Sequence, residues 1–97
     1  MSEPETSPRK RRYNAFGKYG SIVEDPRYVV SLAEHPEERF GMASPKGVTV
    51  EEVAEWLYMA VKGVSYGDVR KRTQADQPVI VLEYDGEREE RTAWEGL

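Results

Sequence analysis

The chain has 97 residues, of which 33% are charged and 38% hydrophobic, and a formal net charge of -4 at pH 7, so it can fold one domain and no more. It has no cysteine and a single histidine, His35, which excludes a disulfide framework, a thiolate nucleophile, a zinc ribbon and a histidine-rich metal site within one chain. No apolar run approaches the roughly 18 residues that span a bilayer, and the polar N-terminus lacks a signal-peptide core. The expectation is a soluble, cytoplasmic protein with no membrane partner.

The charge is unevenly spread. Residues 1–18 hold Arg9, Lys10, Arg11, Arg12 and Lys18 against Glu3 and Glu5, a balance of +3, while the remaining nine basic and sixteen acidic residues leave -7. The basic run, set among Ser, Pro and Glu, reads as a flexible arm over residues 1–18, followed by a single compact α+β domain over residues 19–97. Nucleic acid is the partner such an arm suits, because each phosphate contact releases a counterion and the Arg fork matches phosphate geometry. The alternative is a solubilising tail.

From Gly20 to Leu32 the sequence reads as a β-hairpin turning at Asp25-Pro26, with Tyr28, Val30 and Leu32 alternating against Val29 and Ser31. A short helix capped by Asp25, with Pro26 in its first turn, is the other reading of this stretch. Glu34 to Lys46 is irregular, with Arg39 to Ala43 as a short strand. Thr49 followed by Glu52 forms a capping box, and Glu51, Glu52 and Glu55 sit where the helix dipole favours negative charge. The predicted main helix covers residues 50–62. Its apolar stripe of Val50, Val53, Ala54, Leu57 and Val61 is widened by Trp56, Met59 and Ala60, so it needs cover from more than one side. Gly63 closes it in a left-handed cap.

Ser65 opens a short second helix through Asp68, Val69 and the triplet Arg70-Lys71-Arg72, ending near Asp76. Val79 to Leu82 is apolar on both faces, as in an interior strand, and Asp85-Gly86 is a two-residue hairpin turn. A register symmetrical about that turn sets Glu83 opposite Arg88 and Ile80 opposite Arg91, making Glu87 to Trp94 a charged edge strand. A charged helix from Asp85, supported by a Glu87–Arg91 pair, competes with it. The fold expected is α+β, a small, mostly antiparallel sheet packed on one main helix (50–62), with a short second helix and a C-terminal β-hairpin.

Chemistry-bearing constellations are sparse. The carboxylates lie on solvated faces, His35 lies in a loop, and Glu87, Glu89 and Glu90 lack the spacing of a calcium loop. No catalytic residue, metal or cofactor is expected. The order of helix, Gly63 turn, basic short helix and hairpin is the layout of a winged helix-turn-helix, with Tyr66, Arg70, Lys71 and Arg72 as readers and phosphate clamps. Against it stand an acidic wing and three glutamates on the first helix.

Residues 19–63 run Tyr-Gly-Ser-Ile-Val-Glu-Asp, then Tyr-Val-Val-Ser-Leu-Ala-Glu-His-Pro, then Gly-Val-Thr-Val-Glu-Glu-Val. They resemble the N-terminal module of HicB-like antitoxins at Tyr19, Glu24, Tyr28, Val30, Ser31, Glu34, Pro36, Gly47, Thr49, Glu51 and Glu52. The likeness covers under half of the chain. Ala33 and Glu37 stand where that family usually has Pro and Gly, and Glu38 to Lys46 lengthens the connection. The resemblance implies a β-β-β-α-β module that masks a small RNA-cleaving toxin, often beside a separate DNA-binding element.

The function expected from these features is a non-enzymatic, nucleic-acid-associated regulatory protein. Its contacts are Arg9, Lys10, Arg11, Arg12, Lys18, Tyr66, Arg70, Lys71 and Arg72. The alternative is a protein-interaction module, an antitoxin-like inhibitor or a component of a larger assembly. Its acidic body would meet a basic protein or a second copy of the chain through Trp56, Tyr58, Met59 and Trp94.

Overall fold

The computed structural model describes residues 11–94. In chain order the elements are β1 (Arg12–Ala15), β2 (Ile22–Glu24), β3 (Tyr28–Leu32), β4 (Phe40–Met42), α1 (Val50–Leu57), α2 (Val69–Asp76), β5 (Val79–Tyr84) and β6 (Glu87–Thr92). Helix α1 runs directly into a π-helical turn over Tyr58–Lys62. The strands form one sheet in the order β2-β1-β4-β3-β5-β6. Neighbours are antiparallel except β1 and β4, which pair in parallel, Asn14 opposite Phe40 and Ala15 opposite Gly41.

This corrects the expected fold class. Instead of a small, mostly antiparallel sheet on one main helix, the chain builds a six-stranded mixed sheet with two short helices. The difference arises from residues assigned to the arm. Arg12–Ala15 enter the sheet between β2 and β4, and they bring β2 with them as a hairpin partner, Tyr13 opposite Val23. The strands on either side of Asp25-Pro26 exist, but they do not pair with each other, because β1 and β4 lie between them.

Alternation along the strands sorts the sheet into two faces. Val30, Leu32, Phe40, Met42 and Ile80 form a buried cluster with Val53, Ala54, Leu57 and Tyr58 of the helical segment. Helix α1 starts on its capping box, in which the Glu52 N–H donates to Thr49 Oγ1 at 3.1 Å and the Thr49 N–H donates to Glu52 Oε1 at 2.9 Å. Two otherwise unpaired helix-end groups are thereby satisfied. Gly63 closes the π turn with φ +71°, a left-handed conformation in which a Cβ is costly.

The opposite face curls tightly. An ideal Cβ on Gly41 of β4 would lie 2.6 Å from both Val23 Cγ1 of β2 and Pro26 Cγ of the following turn. Only a residue without a side chain admits that approach. On this same face Arg39 donates from Nη2 to Glu83 Oε1 at 2.6 Å and sits over the Tyr13 ring at 5.6 Å.

The β5–β6 hairpin turns on Asp85 (φ 49°) and Gly86 (φ 78°), the pair of positive φ angles that matches the twist of two strands joined by two residues. Glu83 faces Arg88 and Ile80 faces Arg91. The strand ends at Thr92: the Ala93 N–H extends the ladder to Pro78 O at 2.8 Å, but Pro78 has no N–H to return the bond, and Trp94 adopts φ 64°.

Candidate nucleic-acid interface

The basic triplet lies on α2, and the helix divides it. The turn before α2 is held by the Asp68 N–H donating to Ser65 O at 3.1 Å. Ser65 is not a cap on the helix amides; its hydroxyl donates to Asp68 Oδ2 at 3.0 Å. Val69 and Thr73, four residues apart, form the buried face, with the Thr73 hydroxyl donating to Val69 O at 3.0 Å. Gln77 ends the helix at φ 48°, ahead of Pro78.

Arg70 is committed internally. Its Nε donates to Glu55 Oε2 at 3.1 Å and its guanidinium lies 5.5 Å from the centre of the Trp94 ring. It therefore ties α2 to α1 and to the residues after β6. Lys71 and Arg72 follow Asp68 by three and four positions, the spacing that sets side chains on one helix face. With Val64, Ser65 and Asp68 they line a concavity of about 400 Å³. Among the described residues neither has a carboxylate within ion-pair distance. Tyr66, in the turn, is 85% exposed.

The N-terminal cations are dispersed. Arg9 and Lys10 lie outside the described residues. Arg12 pairs with Glu24 across β1 and β2 at 3.2 Å. Arg11 donates its backbone N–H to Asp25 Oδ1 at 2.9 Å and, together with Arg27, Arg39 and Arg88, borders a second concavity. That cleft also carries Asp25, Glu83, Asp85 and Glu87, so its fixed charge balances. Lys18 is exposed in the β1–β2 turn.

The hairpin that would serve as a wing is spent on itself. Arg88 pairs with Glu90 at 3.1 Å and Arg91 with Glu89 at 2.8 Å. The proposed protein-contact residues separate as well. Tyr58 (2% exposed) and Trp94 (8% exposed) are buried, while Trp56 is half-covered by Phe16, Phe40 and Tyr19, whose ring stacks on it at 5.0 Å. Met59 is half-buried against the core.

The end of the π turn carries a chain of ionisable groups invisible to a sequence reading. The Tyr58 hydroxyl donates to Asp76 Oδ2 at 2.9 Å, and Lys62 Nζ, 4.6 Å over the Tyr58 ring, donates to Glu34 Oε1 at 2.7 Å. Burial, reinforced by the Asp76 bond, holds the Tyr58 phenol above its ordinary pKa. The Glu34 hydrogen bond raises that of Lys62 against an opposing desolvation effect. On the adjoining turn, ligand atoms of His35, Glu37 and Glu38 lie within 4.8 Å of one another. These are the residues able to approach one cation, and His35 Nδ1 already lies 3.6 Å from Glu37 Oε2. No helix among the described residues is long and apolar enough to cross a membrane. Comparisons of the chain with protein-family models, curated proteins and solved structures find no match.

Proposed function

We propose that the chain is a non-enzymatic, nucleic-acid-associated regulatory protein whose fixed contact surface is the turn before α2 and the exposed side of that helix. The observation that carries this reading is the pair Lys71 and Arg72, two exposed cations that line a concavity together with Asp68 and have no carboxylate within ion-pair distance among the described residues. Among the described residues seven of the twelve Lys and Arg side chains are matched by nearby carboxylates, so an unmatched adjacent pair is where a polyanion gains most. Arg9 to Arg12 supply additional phosphate contacts in this reading, and Arg70 supplies rigidity.

The test is the salt dependence of oligonucleotide binding by fluorescence anisotropy. Removing two phosphate contacts with the double variant Lys71→Ala/Arg72→Ala lowers the slope of log K against log salt by about 1.4–1.8. Arg70→Ala leaves the slope unchanged. An unaltered slope in the double variant removes α2 from the reading.

A second reading, a protein-interaction module of the antitoxin or assembly-component kind, is favoured by Tyr19 (61% exposed) and Ile22 (59% exposed), large apolar side chains left in solvent beside Trp56 and at the β2 edge. Its partner is a basic protein that complements the acidic body. Undiminished salt-dependent nucleic-acid binding by Tyr19→Ala/Ile22→Ala separates the two surfaces.

A further inference from the structure

We propose that the α2 surface is specific for single strands, with Tyr66 stacking on an unpaired base while Lys71 and Arg72 hold the flanking phosphates. This rests on the nucleic-acid reading above and adds the form of the ligand. Three observations carry it.

Tyr66 leaves its ring in water, whereas Phe16, Tyr19, Tyr28, Phe40, Trp56 and Tyr84 all lie against another aromatic ring. Tyr66 sits in the turn between Ser65 and Asp68, two of the residues that line the concavity of Lys71 and Arg72, though not in that lining itself. An exposed aromatic on a cation-bearing surface is the combination that binds single strands without reading sequence, because every base offers a π face. Space is available beside it: Gly67 follows directly, and a Cβ built there would meet nothing within 4 Å.

The cations border a hollow. At about 400 Å³, the concavity falls within the roughly 300–1,000 Å³ of small-molecule sites, room for one nucleotide. Its wall includes Asp68, whose carboxylate is fixed by the Ser65 hydroxyl. That carboxylate suits the amino edge of a base and opposes a phosphate, so it orients the strand with base inward and phosphates toward Lys71 and Arg72.

The surroundings oppose a duplex. A winged helix needs flanking cations for the second backbone, but Arg88 and Arg91 of the hairpin are paired with Glu90 and Glu89. Arg70, the third cation of α2, is held by Glu55.

The experiment titrates the full chain against labelled single-stranded DNA and RNA of one mixed sequence, and against the same DNA annealed to its complement, by fluorescence anisotropy. Single strands bind more tightly than the duplex. Tyr66→Ala loses about 5- to 150-fold in affinity for them at an unchanged salt slope, as removal of a stacked base requires, while Tyr66→Phe retains wild-type affinity. Equal affinity of Tyr66→Ala and wild type, or of duplex and single strand, overturns the inference. If the Lys71→Ala/Arg72→Ala variant still lowers the salt slope in that case, the nucleic-acid reading stands without single-strand specificity. If no oligonucleotide binds with salt dependence, the nucleic-acid reading itself falls.

Discussion

The phenol of Tyr58 and the carboxylate of Asp76 meet at 2.9 Å and join the π-helical end of α1 to the last residue of α2. The ring of Tyr58 is 2% exposed, so the contact secures the helix carrying Lys71 and Arg72 to the core. The phenol is placed by the end of α1, where Tyr58 keeps α-helical dihedrals of φ -62° and ψ -41°.

Tyr58→Phe is expected to cost about 1–1.5 kcal/mol at neutral pH, below the usual range for a bond to a charged group, because Asp76 is exposed and recovers water. Urea denaturation measures it. A variant as stable as the wild type would show that the two helices dock without the bond.

The pKa values of Tyr58 and Lys62 are both raised in the folded state. A raised value means that the native protein holds its proton longer than the unfolded chain does. The associated stability is complete below the unfolded values, about pH 10 for both groups, and is lost as pH rises through the folded ones. Melting temperatures measured through the alkaline range should fall for the wild type, and less steeply for Tyr58→Phe and Lys62→Met. Parallel curves for all three proteins contradict this account.

Gly41→Ala places a methyl group 2.6 Å from Val23 Cγ1 and Pro26 Cγ. The proline ring cannot rotate away, so the curl of β2 over β4 must open. A loss of about 1–3 kcal/mol is expected, typical of an overpacked site. Stability unchanged by this substitution would mean that β2 is not seated on β4.

Much of the fold was legible where it depends on neighbours in sequence. Thr49 and Glu52 announce α1 by a local exchange of hydrogen bonds, and Asp85-Gly86 sets both the hairpin and its register. The sheet's other half depends on contacts far apart along the chain. Arg12-Tyr13-Asn14-Ala15 alternates polar and apolar over four residues only, a period too brief to stand out beside the basic run that precedes it, and it pairs in parallel with residues about 26 positions away. Composition made these residues an arm; the free edge of β4 makes them a strand. At the candidate site the triplet Arg70-Lys71-Arg72 was visible, but its division was not, because only the packing of α2 beside Glu55 and Trp94 distinguishes a tether from two unmatched cations.

Thr49→Ala removes the oxygen that accepts the Glu52 N–H. The expected loss is about 1 kcal/mol, read as a lower urea midpoint at unchanged slope. Asparagine at this position should restore most of it, and failure to do so would mean that the threonine methyl matters more than its hydroxyl.

Tyr19→Ala uncovers Trp56, on which its ring stacks at 5.0 Å. Acrylamide quenching of tryptophan fluorescence should increase, while the buried Trp94 remains protected. Unchanged quenching would place the Trp56 indole beyond the reach of solvent by Phe16 and Phe40 alone.

The position of β5 between β3 and β6 has a bearing on synthesis. Residues 79–84 emerge from the ribosome well after residues 28–32, yet they supply the partner for every backbone group along one side of β3. Until they appear, Val29 to Leu32 present an apolar, unzipped margin to other nascent chains. Premature termination before residue 79 therefore yields a sticky fragment rather than a smaller functional one.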